Sequence, residues 1–358
     1  MTLQPPEAGE FDGDRIAGDL LRHLHAEPGL ERAAFDGPPV RLMGGFETLI
    51  YAFRLTRAPS ALSGPLVVRV FAEAGGVGQA RKEAVFQNAV AGTGYPAPRV
   101  VFPGGERLIG GRAFNVMERV SGHSLMEDLL ADLAAAPRVA DQLAQTLADL
   151  HAVPSGRVAD SLRDAGIPAH EAAMAGRLRY LQSYVADSAL AHLEPGVEWL
   201  LENQPSERDV LSVCHGDFHP GNVMVDGGRV TGVLDWPGAQ LADPEYDVAV
   251  SLVLMAVAAP ELVSDVPPEA FEAFALAYLE SYSRRRTVDP ERVRYYRAYR
   301  AMRAFLRGTG ALTPGVNPGL LPRDQYPWAA EGALQRLAGV IRETTGIALP
   351  LPPGVGPA

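Results

Sequence analysis

The sequence predicts an α+β protein built as two lobes, strand-rich at the N-terminal end and mainly helical after it. A chain of 358 residues is longer than one small hydrophobic core normally uses. Between residues 40 and 119, short β-branched and aromatic runs alternate with glycine and proline turns, as strands do. Beyond Gly122 the apolar residues recur at helical spacing, interrupted once over residues 213–236.

Ile16, Leu20, Leu21 and Leu24 share one helical face, so a first helix is expected over 14–25. The runs 40–43, 49–55 and 66–71, parted by Gly44-Gly45 and the proline-bounded turn 59–65, read as a small antiparallel meander. Ala80, Ala84, Val85 and Ala89 mark a helix over 79–91 that Gly92 and Gly94 end, and strands follow at 99–102 and 113–119. Helices are expected over 124–133, 137–151, several stretches between 161 and 203, then 243–257, 268–282, 290–306 and 328–344. Inside 213–236, two short strands flank a Gly227-Gly228 hairpin turn. There is no internal repeat. The boundary is placed at Glu118, giving lobes 1–118 and 119–358, and a cleft between them is the expected ligand site.

With 32 basic and 43 acidic residues, net charge −11, the chain has the wrong sign for nucleic-acid backbones or anionic membranes, so a neutral or cationic partner is expected. Cys214 is the only cysteine, which excludes an internal disulfide and a cysteine-based zinc cluster. Residues 1–14 are acidic and rich in proline and glycine with no apolar signal core, and the longest apolar stretch, 248–260, is too short to span a bilayer; a cytoplasmic location is expected. The composition carries no signal for a particular oligomeric state.

The strongest chemical signal is His215-Gly216-Asp217-Phe218-His219-Pro220-Gly221-Asn222, followed by a hairpin and Asp235-Trp236. Glycine and proline make the first segment a loop that the flanking apolar runs anchor. Phosphoryl transfer needs a carboxylate to accept the proton of the attacking hydroxyl and oxygen ligands to hold magnesium against nucleotide phosphates. Asp217 suits the base, and Asn222 and Asp235 suit the metal.

This H-G-D-x4-N pattern, the Asp-Trp pair after a hairpin and Asp243-Pro244-x-x-Asp247 together resemble the aminoglycoside phosphotransferase-like branch of the protein-kinase-like fold, over roughly residues 40–306. The resemblance implies a bilobal kinase-like fold, ATP (possibly GTP) and Mg2+ as cofactors, and a small-molecule hydroxyl acceptor. It implies Asp217 as catalytic base, Asn222 and Asp235 as magnesium ligands, Asp247 as a brace for the loop, and His215 as a bracing residue of the catalytic loop. Gly44, Gly45 and Thr48 match the nucleotide-positioning loop, where Glu47-Thr48 replaces the Ser-Asn of many members. The strand 66–70 carries Arg69 where the family carries a phosphate-binding lysine; Lys82, the only lysine, is on the next helix. Arg69 is expected to substitute, since a guanidinium stays charged and can bind phosphate bidentately. Glu83 matches the helix glutamate that pairs with this cation, against the alternative of a solvated helix face. The connector 115–122 resembles the hinge, with Met117 bordering the adenine and backbone groups of Glu118 and Val120 contacting it.

Two decoys fail on their residues. Gly76-Val77-Gly78 has Arg81 where a dinucleotide fingerprint needs its third glycine, and Lys82 lacks the glycines of a Walker A loop. Two other functions compete: a metal-dependent hydrolase using His215, Asp217, His219 and Asp235, and an inactive kinase-like binding protein suggested by Arg69 and Glu47-Thr48. The acceptor is open among aminoglycosides, macrolides, metabolite alcohols and hydroxyacyl thioesters. It is expected among residues 161–203 and 263–325, where Asp243, Glu245, Glu280 and Glu291 nearby could face a cationic molecule. Tyr295, Tyr296, Tyr299, Met302 and Phe305 could line an apolar pocket or, at helical spacing, belong to the core.

Overall fold

The computed structural model describes residues 13–42, 48–74, 76–167, 174–186, 189–206, 208–263, 265–313, 316 and 326–356. The chain forms two compact units, Met1–Gly122 with Thr231–Leu234, and His123–Val230 with Asp235–Ala358.

The first unit opens with α1 (Gly13–His25), whose Ile16, Leu20 and Leu24 form one buried stripe. There follow β1 (Ala34–Phe35), β2 (Val40–Arg41), β3 (Thr48–Phe53), β4 (Leu55–Thr56), β5 (Leu66–Ala74), α2 (Val77–Ala91), β6 (Val100–Pro103) and β7 (Arg112–Glu118). Five strands make an antiparallel sheet in the order β2-β3-β5-β7-β6. β1 and β4 form a separate pair, Phe35 opposite Leu55, too short for alternation to reveal it in sequence.

Strand alternation in β5 decides what each face carries. Leu66, Val68 and Val70 enter the core built on α1 with Tyr51, Phe53, Phe114 and Val116. The intervening residues point to the opposite face, where Phe71 packs on Ala80 of α2. Arg69 is therefore delivered to the α2 side.

The second unit comprises β8 (His123–Ser124), α3 (Leu125–Ala131), α4 (Ala136–His151), α5 (Ser155–Asp164), α6 (Met174–Ala186), α7 (Glu194–Glu202), β9 (Ser212–Cys214), β10 (Val223–Asp226), β11 (Arg229–Val233), β12 (Gln240–Ala242), α8 (Pro244–Val253), α9 (Ala259–Leu262), α10 (Pro268–Ser283), α11 (Pro290–Leu312) and α12 (Glu331–Thr345). Ser124 starts α3 through a reciprocal capping box with Glu127. The core gathers around α11: Tyr295, Tyr296, Tyr299, Met302 and Phe305 are all buried, packed with Tyr246, Val250 and Val253 of α8 and Leu334, Leu337 and Ile341 of α12. These five α11 residues belong to the core.

The helix expected over 243–257 is interrupted. A π-helical turn, Leu254–Ala258, joins α8 to α9. Pro260 explains it, since proline lacks the N–H for an α-helical bond and its ring collides with the carbonyl four residues back. Trp328 lies in a 3-10 turn, Pro327–Ala329, so the last helix starts at Glu331 rather than 328. Among the described residues no helix is long and apolar enough to cross a membrane.

Candidate active site

The loop that follows β9 is held from beneath. β9 pairs with β12, Cys214 opposite Gln240, which fixes where the chain enters the loop. Gly216 has φ +79, and a Cβ there would lie 2.3 Å from the Gly238 carbonyl oxygen, so only glycine fits this crossing. Asp247, in the first turn of α8 and fully buried, accepts the N–H of His215 on Oδ2 and that of Gly216 on Oδ1, both at 2.6 Å. His151, at the end of α4, donates from Nε2 to Asp247 Oδ2 at 3.2 Å and accepts at Nδ1 from the Tyr282 hydroxyl at 2.6 Å. Burial pushes the Tyr282 hydroxyl pKa up, which keeps it a donor.

The loop then braces itself. The Asp217 N–H donates to His215 Nδ1 at 3.3 Å, and Asn222 Nδ2 donates to the Asp217 carbonyl at 2.9 Å. The Phe218 carbonyl accepts from Ser251 at 2.7 Å, and Ser251 Oγ accepts from Tyr278 at 3.3 Å. The buried His215 ring lies 4.6 Å, centroid to centroid, from Trp236. Against this scaffold the Asp217 carboxylate is 32% exposed, with His219 Nε2 at 4.0 Å. A fixed backbone thus presents an accessible carboxylate.

Asn222 immediately precedes β10, and Asp235 lies two residues beyond β11. Gly227 and Gly228 join these strands with φ of +55 and +77, as a two-residue hairpin turn requires, so the hairpin returns Asp235 toward the end from which Asn222 departs. Asp235 itself has φ +67, which costs a non-glycine residue free energy and marks a position the surroundings over-determine.

In the first unit Arg69 and Glu83 form a buried ion pair, with 8% and 3% of their surfaces exposed, which excludes the solvated-face reading of Glu83. The Arg69 guanidinium also lies over the Phe71 ring at 5.1 Å. α2 is held to the sheet by polar side chains: Asn115 donates to the Ala80 carbonyl at 3.0 Å, and the Asn88 amide exchanges two bonds with the Val100 backbone at 2.9 and 2.8 Å. Thr48 opens β3 opposite Phe71. Gly44 and Gly45 lie outside the described residues. The Met117 sulfur lies 3.9 Å from Gln87 Nε2. The Glu118 N–H donates to the Arg99 carbonyl at 2.9 Å, while Arg119 donates to Pro65 on β5's side at 2.9 Å, so the backbone polar groups of Glu118 face away from β5. Val120 packs on Gly232, where a Cβ would meet its Cγ1 at 2.8 Å.

A model of the phosphotransferase enzyme family matches residues 40–305. The chain belongs to this family. It is 32% identical to the aminoglycoside 3'-phosphotransferase of Streptomyces fradiae over 213 residues, 57% of this chain and 72% of that protein. It is also 27% identical to human acyl-CoA dehydrogenase family member 11 over 260 residues, 67% of this chain but only 30% of that longer protein. Among solved structures, aminoglycoside phosphotransferase APH(4)-Ia in ternary complex with AMP-PNP and hygromycin B aligns with TM-score 0.59 at 17% identity, covering 92% of this chain and 100% of the other. An aminoglycoside-3'-phosphotransferase of type VIII aligns with TM-score 0.51 at 25% identity, covering 79% and 97%. The chain is thus a small-molecule phosphotransferase of protein-kinase-like fold.

The hydrolase ligand set does not assemble in this phosphotransferase. Among the described residues the one group of three candidate metal-ligand side chains within 4.8 Å of one another is His151, Cys214 and Asp247. There His151 and Asp247 are committed to the loop's hydrogen bonds, and burial, with the Asp247 charge adding, holds the Cys214 thiol pKa well above its usual range. His219 Nδ1 accepts from the Gly221 N–H at 3.1 Å.

The acidic residues expected to face a cationic acceptor all stand in ion pairs, buried for Asp243 and Glu245 and solvent-exposed for Glu280 and Glu291. Asp243 pairs with Arg292 and accepts from Tyr296 at 2.8 Å; Glu245 pairs with Arg208 at 2.8 Å. Glu280 pairs with Arg284 at 2.8 Å and Glu291 with Arg294 at 2.9 Å.

His151, Tyr282, Ser251 and Tyr278 were not legible as site residues. The one available signal was a histidine next to Leu143, Leu147 and Leu150 on the buried side of α4.

Proposed function

We propose that this enzyme transfers the γ-phosphoryl group of ATP, with Mg2+, to a hydroxyl of a small molecule, with Asp217 as general base. The carrying observation is the accessible Asp217 carboxylate on a loop whose backbone is fixed by Asp247, His215 and Asn222. The substrate hydroxyl gives its proton to Asp217 as its oxygen bonds to the γ-phosphorus, and the bond to the β–γ bridging oxygen breaks to release ADP. His215 acts on the loop backbone as a positioning residue.

The residues present fit magnesium, whose hard-cation chemistry calls for oxygen donors such as those of Asn222 and Asp235. When bound, the ion would neutralise charge on the nucleotide phosphates. The region 1–118 serves as the nucleotide clamp: Arg69, oriented by Glu83, binds phosphate, Gly44, Gly45 and Thr48 position it, and Met117 with backbone groups of Glu118 and Val120 receives the base. Region 119–358 carries catalysis and the acceptor site, and the enzyme works in the cytoplasm, where ATP is supplied. The relatives named for aminoglycosides, and the related structure holding AMP-PNP with hygromycin B, support nucleotide and a hydroxyl acceptor.

The test is a phosphorylation screen with purified protein, Mg2+ and ATP or GTP against aminoglycosides, macrolides, metabolite alcohols and hydroxyacyl thioesters, read by mass spectrometry. An acceptor that gains one phosphate while the nucleotide loses one is the expected result. Nucleotide that neither binds nor turns over would overturn the reading.

A further inference from the structure

α11 carries Arg300, Arg303 and Arg307 at i, i+3 and i+7, on one face of the helix. Arg300 is 7% exposed, and its Nε is buried without a hydrogen-bond partner among the described residues. Its guanidinium lies over the Trp328 ring at 4.8 Å. Arg303 and Arg307 act on it as like charges, while Asp217 and Tyr246 oppose them. Burial first, then Arg303, pulls the Arg300 pKa down. Arg177 approaches the same region from α6, donating to the Tyr246 hydroxyl at 3.1 Å and to the Gly238 carbonyl at 3.3 Å, on the segment that crosses Gly216. Tyr246 feels both Arg177 and Arg303.

A buried guanidinium among other cations is expensive unless an anion meets it. The tendency is opposite to the chain's net charge of −11, and Asp243 and Glu245, the two buried acids among those expected to serve a cationic acceptor, are held in ion pairs. We infer that the acceptor is an anionic alcohol, whose carboxylate or phosphate group is received by Arg300 and Arg303 so that its hydroxyl meets Asp217. This rests on the phosphotransferase reading for the hydroxyl's fate, and assigns the substrate class that reading leaves open. A guanidinium fork binds either oxyanion bidentately, which fixes orientation as well as charge.

The test is calorimetry on the full chain saturated with AMP-PNP and Mg2+, titrated separately with succinate, inorganic phosphate and uncharged succinamide. Succinate or phosphate is expected to bind and succinamide not to, and the stronger of the two anions tells a carboxylate acceptor from a phosphorylated one. Arg303→Met is expected to weaken that anion by roughly tenfold or more, with Arg303→Lys recovering part of the loss. Arg300→Met is measured beside it, with thermal unfolding as a check that the buried substitution folds. Anions that bind no better than succinamide, or bind the folded Arg303→Met and Arg300→Met proteins as tightly as wild type, overturn the inference and leave the kinase reading intact. Failure of AMP-PNP to bind counts against the kinase reading instead, and the same anion titrations on nucleotide-free protein still decide the arginine assignment.

Discussion

Asp217→Ala is expected to lower kcat by about 10²- to 10⁴-fold while nucleotide still binds and the protein stays folded. The hydrogen bonds that hold the loop use the Asp217 N–H and carbonyl, which the substitution leaves in place, while the carboxylate is 32% exposed. What disappears is the acceptor for the hydroxyl proton, so the loss falls on kcat and the nucleotide Kd is unmoved. Acceptor phosphorylation by mass spectrometry and nucleotide titration by calorimetry check the two halves. Full activity in the variant would remove Asp217 from the base role.

Asp247→Ala is expected to damage stability as well as activity. Its carboxylate receives three donors, the His215 and Gly216 N–H groups and His151 Nε2, in a site with no solvent exposure. Alanine would strand all three without water to replace the acceptor, and each buried unsatisfied donor costs about 1–3 kcal/mol. Because the donors share one network their costs do not simply add, and a loss of roughly 3–5 kcal/mol is expected, as for other broken buried networks. The loop would lose its register, so kcat should fall in whatever fraction remains folded. Urea unfolding measures the first effect; wild-type stability in Asp247→Ala would show that the loop is anchored elsewhere. Asp247→Asn should fall between, since it keeps one acceptor oxygen but turns an NH2 toward a donor.

The contrast between these two aspartates shows what the sequence could reveal. The pairing of Arg69 with Glu83 was readable only through the family resemblance, which left a solvated face open for Glu83; the buried ion pair, with Arg69 on the face of β5 opposite the core-facing Val68 and Val70, decides it. The Gly-rich loop and hairpin were visible, because turn residues and strand periods are local properties. Support from a distance was readable only for Asp247, through the resemblance, and not for the groups that hold Asp247 itself. His151 meets Asp247 across 96 residues of sequence, and no spacing rule links them. The same blindness misdirected the acceptor: Asp243 and Glu245 looked available because their partners, Arg292 and Arg208, lie 49 and 37 residues away. Burial of Arg300 depended on how α11 sits beside α8 and Trp328, a packing fact that the helical pattern alone does not contain.

The pairing of Asn222 and Asp235 as a magnesium-nucleotide site is tested most directly by calorimetry of AMP-PNP with and without Mg2+, in wild type and in Asp235→Ala. Magnesium should tighten nucleotide binding in the wild type, and Asp235→Ala should abolish that gain. Equal magnesium dependence in the two proteins would contradict the assignment of Asp235 and, with it, the arrangement proposed for phosphoryl transfer at Asp217.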